Sequence, residues 1–154
     1  MKILVDADAC PVREIIEKIA KKNSVELIYI VDTSHLLESD YAKVVTVSKA
    51  ADAADFALVN MIEKGDIVVT QDYGVAAMAL AKKAYPMHHT GKQFTDGNIE
   101  QKLFERHLAK KARRSGMRAG KHKKFTDEAR NEFESRFGEL VKSRADTESN
   151  EGRE

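Results

Sequence analysis

The chain of 154 residues holds a single cysteine, Cys10, so no internal disulfide can form, and a lone thiol fits a reducing compartment. It also lacks any apolar run near the roughly 18 to 20 residues of a membrane span, and its first residues enter a strand pattern rather than a signal peptide. Cytoplasmic localisation without membrane contact is the expectation. No internal repeat is visible. Strong net charge is missing too, at +1, but that average hides an asymmetry. Residues 101–124 hold ten Lys or Arg against one acid, Glu105, whereas Asp146, Glu148, Glu151 and Glu154 gather at the other extreme of the chain. The length suits one domain with a real core and is too short for two comfortable ones.

What is present reads as alternating strands and helices. Lys2 to Asp6 (KILVD) is a short apolar run closed by an acid. After it, Val12, Ile15, Ile16, Ile19 and Ala20 repeat at helical spacing, with Pro11 suited to a first turn. Val25 to Val31 and Lys43 to Val47 are β-branched enough for buried strands, separated by a polar loop containing Asp32, Ser34 and His35. A helix over 53–63, a strand over 66–70 (DIVVT), a small-residue helix over 73–83 and a short strand over 84–88 follow. Alternation of this kind predicts right-handed crossovers and a parallel α/β sheet of four to five strands covered on both faces. Asn98 with Gln101 reads as a capping box for a helix to about Arg114, and Ser115 to Lys124 as a basic loop. Thr126 then caps a helix whose Ala129, Phe133, Phe137, Leu140 and Val141 form one stripe for docking on the sheet. The domain is thus expected over 1–143, including two C-terminal helices, with a disordered acidic tail over 144–154.

Acids recur where such a sheet places its chemistry: Asp6 and Asp8 after the first strand, Asp52 and Asp55 at a helix start, and Asp72 after DIVVT. Carboxylates gathered there repel unless a cation neutralises them, and an all-oxygen set favours Mg²⁺ or Mn²⁺ over Zn²⁺. Such an ion polarises a phosphoryl oxygen and generates hydroxide, as phosphodiester hydrolysis requires. Duller roles exist for each acid. Asp52 and Asp55 occupy the N-cap and third positions of a helix, Asp72 can cap the next one, and Asp66 belongs to a Gly65-Asp66 turn. Asp6 resists dismissal, because an acid closing a buried strand is desolvated with no structural return.

These residues carry a resemblance. The stretches DADACPV (Asp6 to Val12), ADAAD (Ala51 to Asp55), GDIVVTQD (Gly65 to Asp72), NIEQKL (Asn98 to Leu103) and RRSG (Arg113 to Gly116) resemble the bacterial YaiI/YqxD family of the PIN-like nuclease superfamily, over residues 1 to about 140. The resemblance implies a PIN-like sheet and points to Asp6, Asp8, Asp52 or Asp55, and Asp72 as metal-binding acids. The chain departs from the family at His89-Thr90-Gly91, where Pro-Arg-Gly is usual.

On a helix advancing about 100° per residue, Lys102, Arg106, Lys110 and Arg113 fall within a sector of roughly 80°. With Arg114 and Arg118 this ridge can track a phosphate backbone, or simply be a solvated face. Cys10 reads as a small packing residue. His88 and His89 cannot both face one metal from a strand, so structural roles are expected for both. The leading function is a metal-dependent nuclease acting on RNA, in which Asp6, Asp52 or Asp55, and Asp72 hold Mg²⁺ or Mn²⁺ while Asp8 orients water. One alternative is a haloacid-dehalogenase-like phosphatase with Asp6 as nucleophile and Asp8 as acid. Another is a noncatalytic RNA-binding module whose acids are helix caps.

Overall fold

The computed structural model describes residues 1–116 and 124–153. Strands β1 (Lys2–Asp6), β2 (Glu26–Asp32), β3 (Lys43–Val47), β4 (Ile67–Val69) and β5 (Tyr85–Met87) form one sheet in the order β3-β2-β1-β4-β5. Every neighbouring pair is parallel. Five helices accompany it: α1 (Arg13–Lys22), α2 (Ala53–Met61), α3 (Tyr73–Ala81), α4 (Ile99–Arg114) and α5 (Asp127–Glu151). The parallel α/β sheet with helices on both faces and two C-terminal helices is the architecture expected of a PIN-like chain.

Residue alternation along each strand decides which helices cover which face. Ile3 and Val5, with Leu27, Tyr29 and Val31 of β2 and Ile67 and Val69 of β4, share one core with Ile16 and Ile19 of α1 and Phe133, Phe137 and Val141 of α5. Their alternates Leu4, Ile28, Ile30 and Val68 share the other core with Leu58 of α2 and Val75 and Ala79 of α3. The apolar stripe of α5 therefore docks as its spacing predicts, with the Phe133 and Phe137 rings stacked at 5.1 Å. A third, smaller cluster of Ala76, Phe94 and Ile99 seats the start of α4 on α3.

Four local expectations are corrected. Helix α1 begins at Arg13, so Pro11 sits in the turn before it rather than in its first turn. The capping box at α4 does not form: Asn98 Oδ1 accepts from Thr95 N–H and its amide donates to Gln93 O, so the side chain holds the preceding loop instead. His88 and His89 follow β5 rather than lying in it, and with no strand to separate them their rings sit 4.2 Å apart. The acidic tail expected after Ser143 is instead the last two turns of α5, which runs to Glu151. Two contacts hold it: the Arg144 guanidinium lies over the Tyr85 ring at 4.5 Å, and Glu148 pairs with the Met1 ammonium. Thr126 does cap α5, accepting from Ala129 N–H at 3.1 Å. Among the described residues, no helix is long and apolar enough to cross a membrane.

Asp66 illustrates a carboxylate used for folding. It is 2 % exposed and accepts from Lys2 N–H, from Lys2 Nζ at 2.6 Å and from Glu63 N–H, so both of its oxygens are engaged where β1 and β4 begin. Replacing it leaves two backbone N–H groups without their acceptor and, among the described residues, the Lys2 ammonium with only Glu63, at 3.7 Å. Asp66→Ala is expected to cost about 2–4 kcal/mol in urea unfolding, with Asp66→Asn costing less.

Candidate metal centre

The sheet order reverses at β1: the chain moves one way to β2 and β3, then returns to place β4 and β5 on the other side. The crevice at the carboxyl ends of β1 and β4 is therefore where an open α/β sheet binds ligands. Asp6 closes β1 and Asp72 follows β4, so both acids reach this crevice. Asp6 is partly buried, and its pKa is pushed up to about 7, first by burial and then by the charges of Asp55, Asp8 and Asp72. A hydrogen bond from Thr70 offsets part of that rise. Burial also raises Asp55, helped by the charges of Asp72 and Asp52 and opposed by Arg106.

Asp72 has two structural partners and one electrostatic one. Its Oδ1 caps α3 by accepting from Val75 N–H at 2.9 Å, and its own N–H donates to the Thr70 hydroxyl. The capping role expected of it is therefore real, and the same oxygen also lies 3.4 Å from Arg106 Nη1 of α4. A Cβ at Gly74 would stand 3.0 Å from that Asp72 oxygen and 3.2 Å from Arg106 Nη1, so glycine leaves the space in which the pair meets. Asp52 behaves differently from its expectation as a cap. It adopts a left-handed backbone at φ 64° and makes no capping hydrogen bond, and its side chain is exposed at the rim.

Asp8 turns away toward β2. The turn passes through Ala9 at φ 56°, and Asp8 Oδ2 accepts from Asp32 N–H at 3.1 Å. His35 Nδ1 lies 2.8 Å from Asp8 Oδ1 and 3.3 Å from Asp32 Oδ1. The contact to Asp8 is close but off the line of a hydrogen bond, which leaves Asp8 Oδ1 with no hydrogen-bond partner among the described residues. Two donors from Ser34, its N–H and its hydroxyl, hold the Asp32 carboxyl below the usual range, with His35 adding to the effect. Among the described residues, Asp8, Asp32 and His35 are the one group of potential ligands whose donor atoms all fall within 4.8 Å of one another. Asp6, Asp55 and Asp72 are thus coupled through space without closing into so tight a set.

A family model described as the uncharacterised YaiI/YqxD family matches residues 4–143. The chain belongs to that family. It is 58% identical over 146 residues to a UPF0178 protein of Lachnoclostridium phytofermentans, covering 93% of this chain and 98% of the relative. A UPF0178 protein of Clostridium acetobutylicum is 48% identical over 92% of this chain and 97% of its own length, and one of Natranaerobius thermophilus 42% over 92% and 94%. No solved structure matches the chain.

In this YaiI/YqxD member the basic ridge and the acids adjoin, through Arg106 and Asp72. Lys102 and Arg106 are partly buried on the side of α4 that meets α3, while Lys110, Arg113 and Arg114 are exposed farther along it. Arg118 lies outside the described residues. Asp32 and His35 were not singled out from the sequence as site residues. Asp32 closes β2 as Asp6 closes β1, so the same signal was present, whereas nothing local marks His35. Cys10 is buried and its thiol is pushed up to about 11, chiefly by that burial, as suits a packing residue. Burial, His89 and two lysines lower His88 to about 4, which keeps it neutral and outside the acid cluster. The phosphatase alternative gains no second acid pair here, since Asp66 lies at the opposite end of β4 from Asp72.

The raised Asp6 pKa has a signed consequence for stability without metal. A carboxyl whose pKa rises from 3.8 unfolded to about 7 folded holds its proton more tightly in the native state, so stability falls as pH rises through that window. Asp6→Asn removes the liability. In EDTA it is expected to exceed the native protein at pH 8 by on the order of 2 kcal/mol, allowing for solvent screening of a partly exposed group, and to lose the advantage near pH 4. Thermal melts across that range measure the difference.

Proposed function

We propose that this chain is a divalent-metal-dependent phosphodiesterase acting on RNA. The observation that supports it most is the half-buried Asp6 carboxyl, which feels the charges of Asp55, Asp8 and Asp72 at the switch point, with the Arg106 guanidinium at the rim. In this reading Asp6, Asp55 and Asp72 hold Mg²⁺ or Mn²⁺, and Asp52 lies at the edge of the set. The donors fit such an ion because they are all oxygen, and because Mg²⁺ retains several waters and needs only one or two direct carboxylates rather than a closed cage. When bound, the ion supplies polarisation of a phosphoryl oxygen and a water of lowered pKa.

The chain's own residues do the rest. Asp8 is fixed through Oδ2 by Asp32 N–H, while its Oδ1 is buried against His35 Nδ1 at 2.8 Å, so it orients water and takes its proton once His35 moves off that oxygen. Arg106, close enough to Asp72 to pair with it, can instead offer its planar donors to a phosphate. Lys110 and Arg113 continue that positive edge for neighbouring phosphates.

Cleavage of varied single-stranded RNA is expected with Mn²⁺ and not with EDTA. Asp6→Asn and Asp72→Asn should each lower the rate by about a hundredfold or more, the second while keeping a cap acceptor for Val75 N–H. Absence of metal-dependent cleavage, with Mn²⁺ affinity unchanged in Asp6→Asn, contradicts the proposal. RNA retention under those conditions selects the noncatalytic module. A separate measurement concerns the ridge: replacing both Lys110 and Arg113 by Ala should reduce the salt slope of single-strand binding by roughly 1.4, or about 0.7 for each phosphate no longer neutralised.

A further inference from the structure

One stretch of α2 faces two chemistries. Asp55 belongs to the carboxylate cluster, whereas its neighbours Phe56 and Val59 join Met78 of α3 in lining an open cavity of about 390 Å³. Phe56 is 68% exposed and Met78 47%; Phe104 of α4 is exposed as well, at 60%, but does not line this cavity. Arg106 borders the same cavity together with Asp52, Asp55 and Asp72, and Asn60 contributes a side-chain amide to it.

We propose that this cavity receives an unpaired nucleobase of a single-stranded nucleic acid, stacked on Phe56, with an adjoining phosphate at Arg106. The inference rests on the phosphodiesterase reading and adds to it a base-binding subsite. Charge complementarity selects the occupant. From Arg106 the row of cations continues along α4 to Lys110 and Arg113, which calls for a ligand with repeated negative charge. Phe56, Val59, Val75 and Met78 make most of the cavity's exposed wall apolar, although Asp52, Asp55 and Asp72 also line it, which calls for a ligand that carries flat apolar groups beside its charges. A single strand has both, and a duplex keeps its bases stacked and out of reach. An aromatic platform tolerates any base because each has a π face, and Asn60 offers one donor group and one acceptor to a base edge. Because Asp55 and Phe56 are adjacent on one helix, a base seated at Phe56 brings its phosphodiester toward the carboxylates.

The chain contains no tryptophan, so Phe56→Trp installs a single emitter at the cavity. The experiment titrates an adenosine RNA hexamer, its abasic counterpart with the same phosphates, and a duplex of the same sequence, all in an Asp6→Asn background that keeps the strand whole. The expected result is quenching by the hexamer, with the abasic strand and the duplex binding about tenfold more weakly. Without the reporter, Phe56→Ala and Phe56→Leu should each weaken hexamer binding about tenfold and leave the abasic strand unchanged. Because Phe56 is exposed, these variants keep the core intact. Equal affinity for intact and abasic strands, while the native protein still cleaves RNA with Mn²⁺, overturns the base site and leaves the phosphodiesterase standing. Loss of both binding and cleavage overturns the two together.

Discussion

Like charges placed around a half-buried carboxyl must be balanced by a proton or by a cation, and the sheet order of this chain forces that choice at one place. With β1 in the centre and β4 returning beside it, the ends of two buried strands deliver Asp6 and Asp72 to the same crevice. Helix α2 adds Asp55, and the turn after β1 adds Asp8. Arg106 offsets part of the charge from the rim, but the Asp6 carboxyl still sits at about 7. Near neutral pH Asp6 is thus poised between protonated and ionised forms, and a divalent cation resolves the repulsion around it without relying on a proton.

The contrast between the two ends of the same strands gives this reading its force. At the start of β4, Asp66 is deeply buried, yet a lysine and two backbone N–H groups engage both its oxygens. At the other end, Asp6 is surrounded by the charges of Asp55, Asp8 and Asp72, and among the described residues Asp8 Oδ1 meets only His35, off the line of a hydrogen bond. Folding alone would favour the first arrangement at both ends. The two ends of the strands therefore differ: at one a carboxylate is matched by donors, and at the other carboxylates are gathered against one another.

Much of this was legible because the signals were local. Apolar β-branched runs marked the strands, and acids closing them marked the crevice. Asp32 closes β2 in the same way and could have been found by the rule that found Asp6. His35 could not, since its contact with Asp8 bridges residues from two separate loops. Arg106 and Asp72 meet only because α4 docks on α3. The failed capping box at Asn98 and the helical 144–151 segment share one cause: tertiary partners overrode a local preference, through the 93–95 loop in one case and Tyr85 and Met1 in the other.

This YaiI/YqxD chain thus joins a parallel sheet to an acid crevice, a cationic helix edge and a cavity with apolar walls within one small domain. The crevice organises the other two, because Arg106 and the cavity wall derive their meaning from the carboxylates they border. Anomalous scattering from crystals soaked in Mn²⁺ tests this most directly. A peak enclosed by Asp6, Asp55 and Asp72 is the predicted result. A peak confined to Asp8, Asp32 and His35, or none anywhere near Asp6, would contradict it.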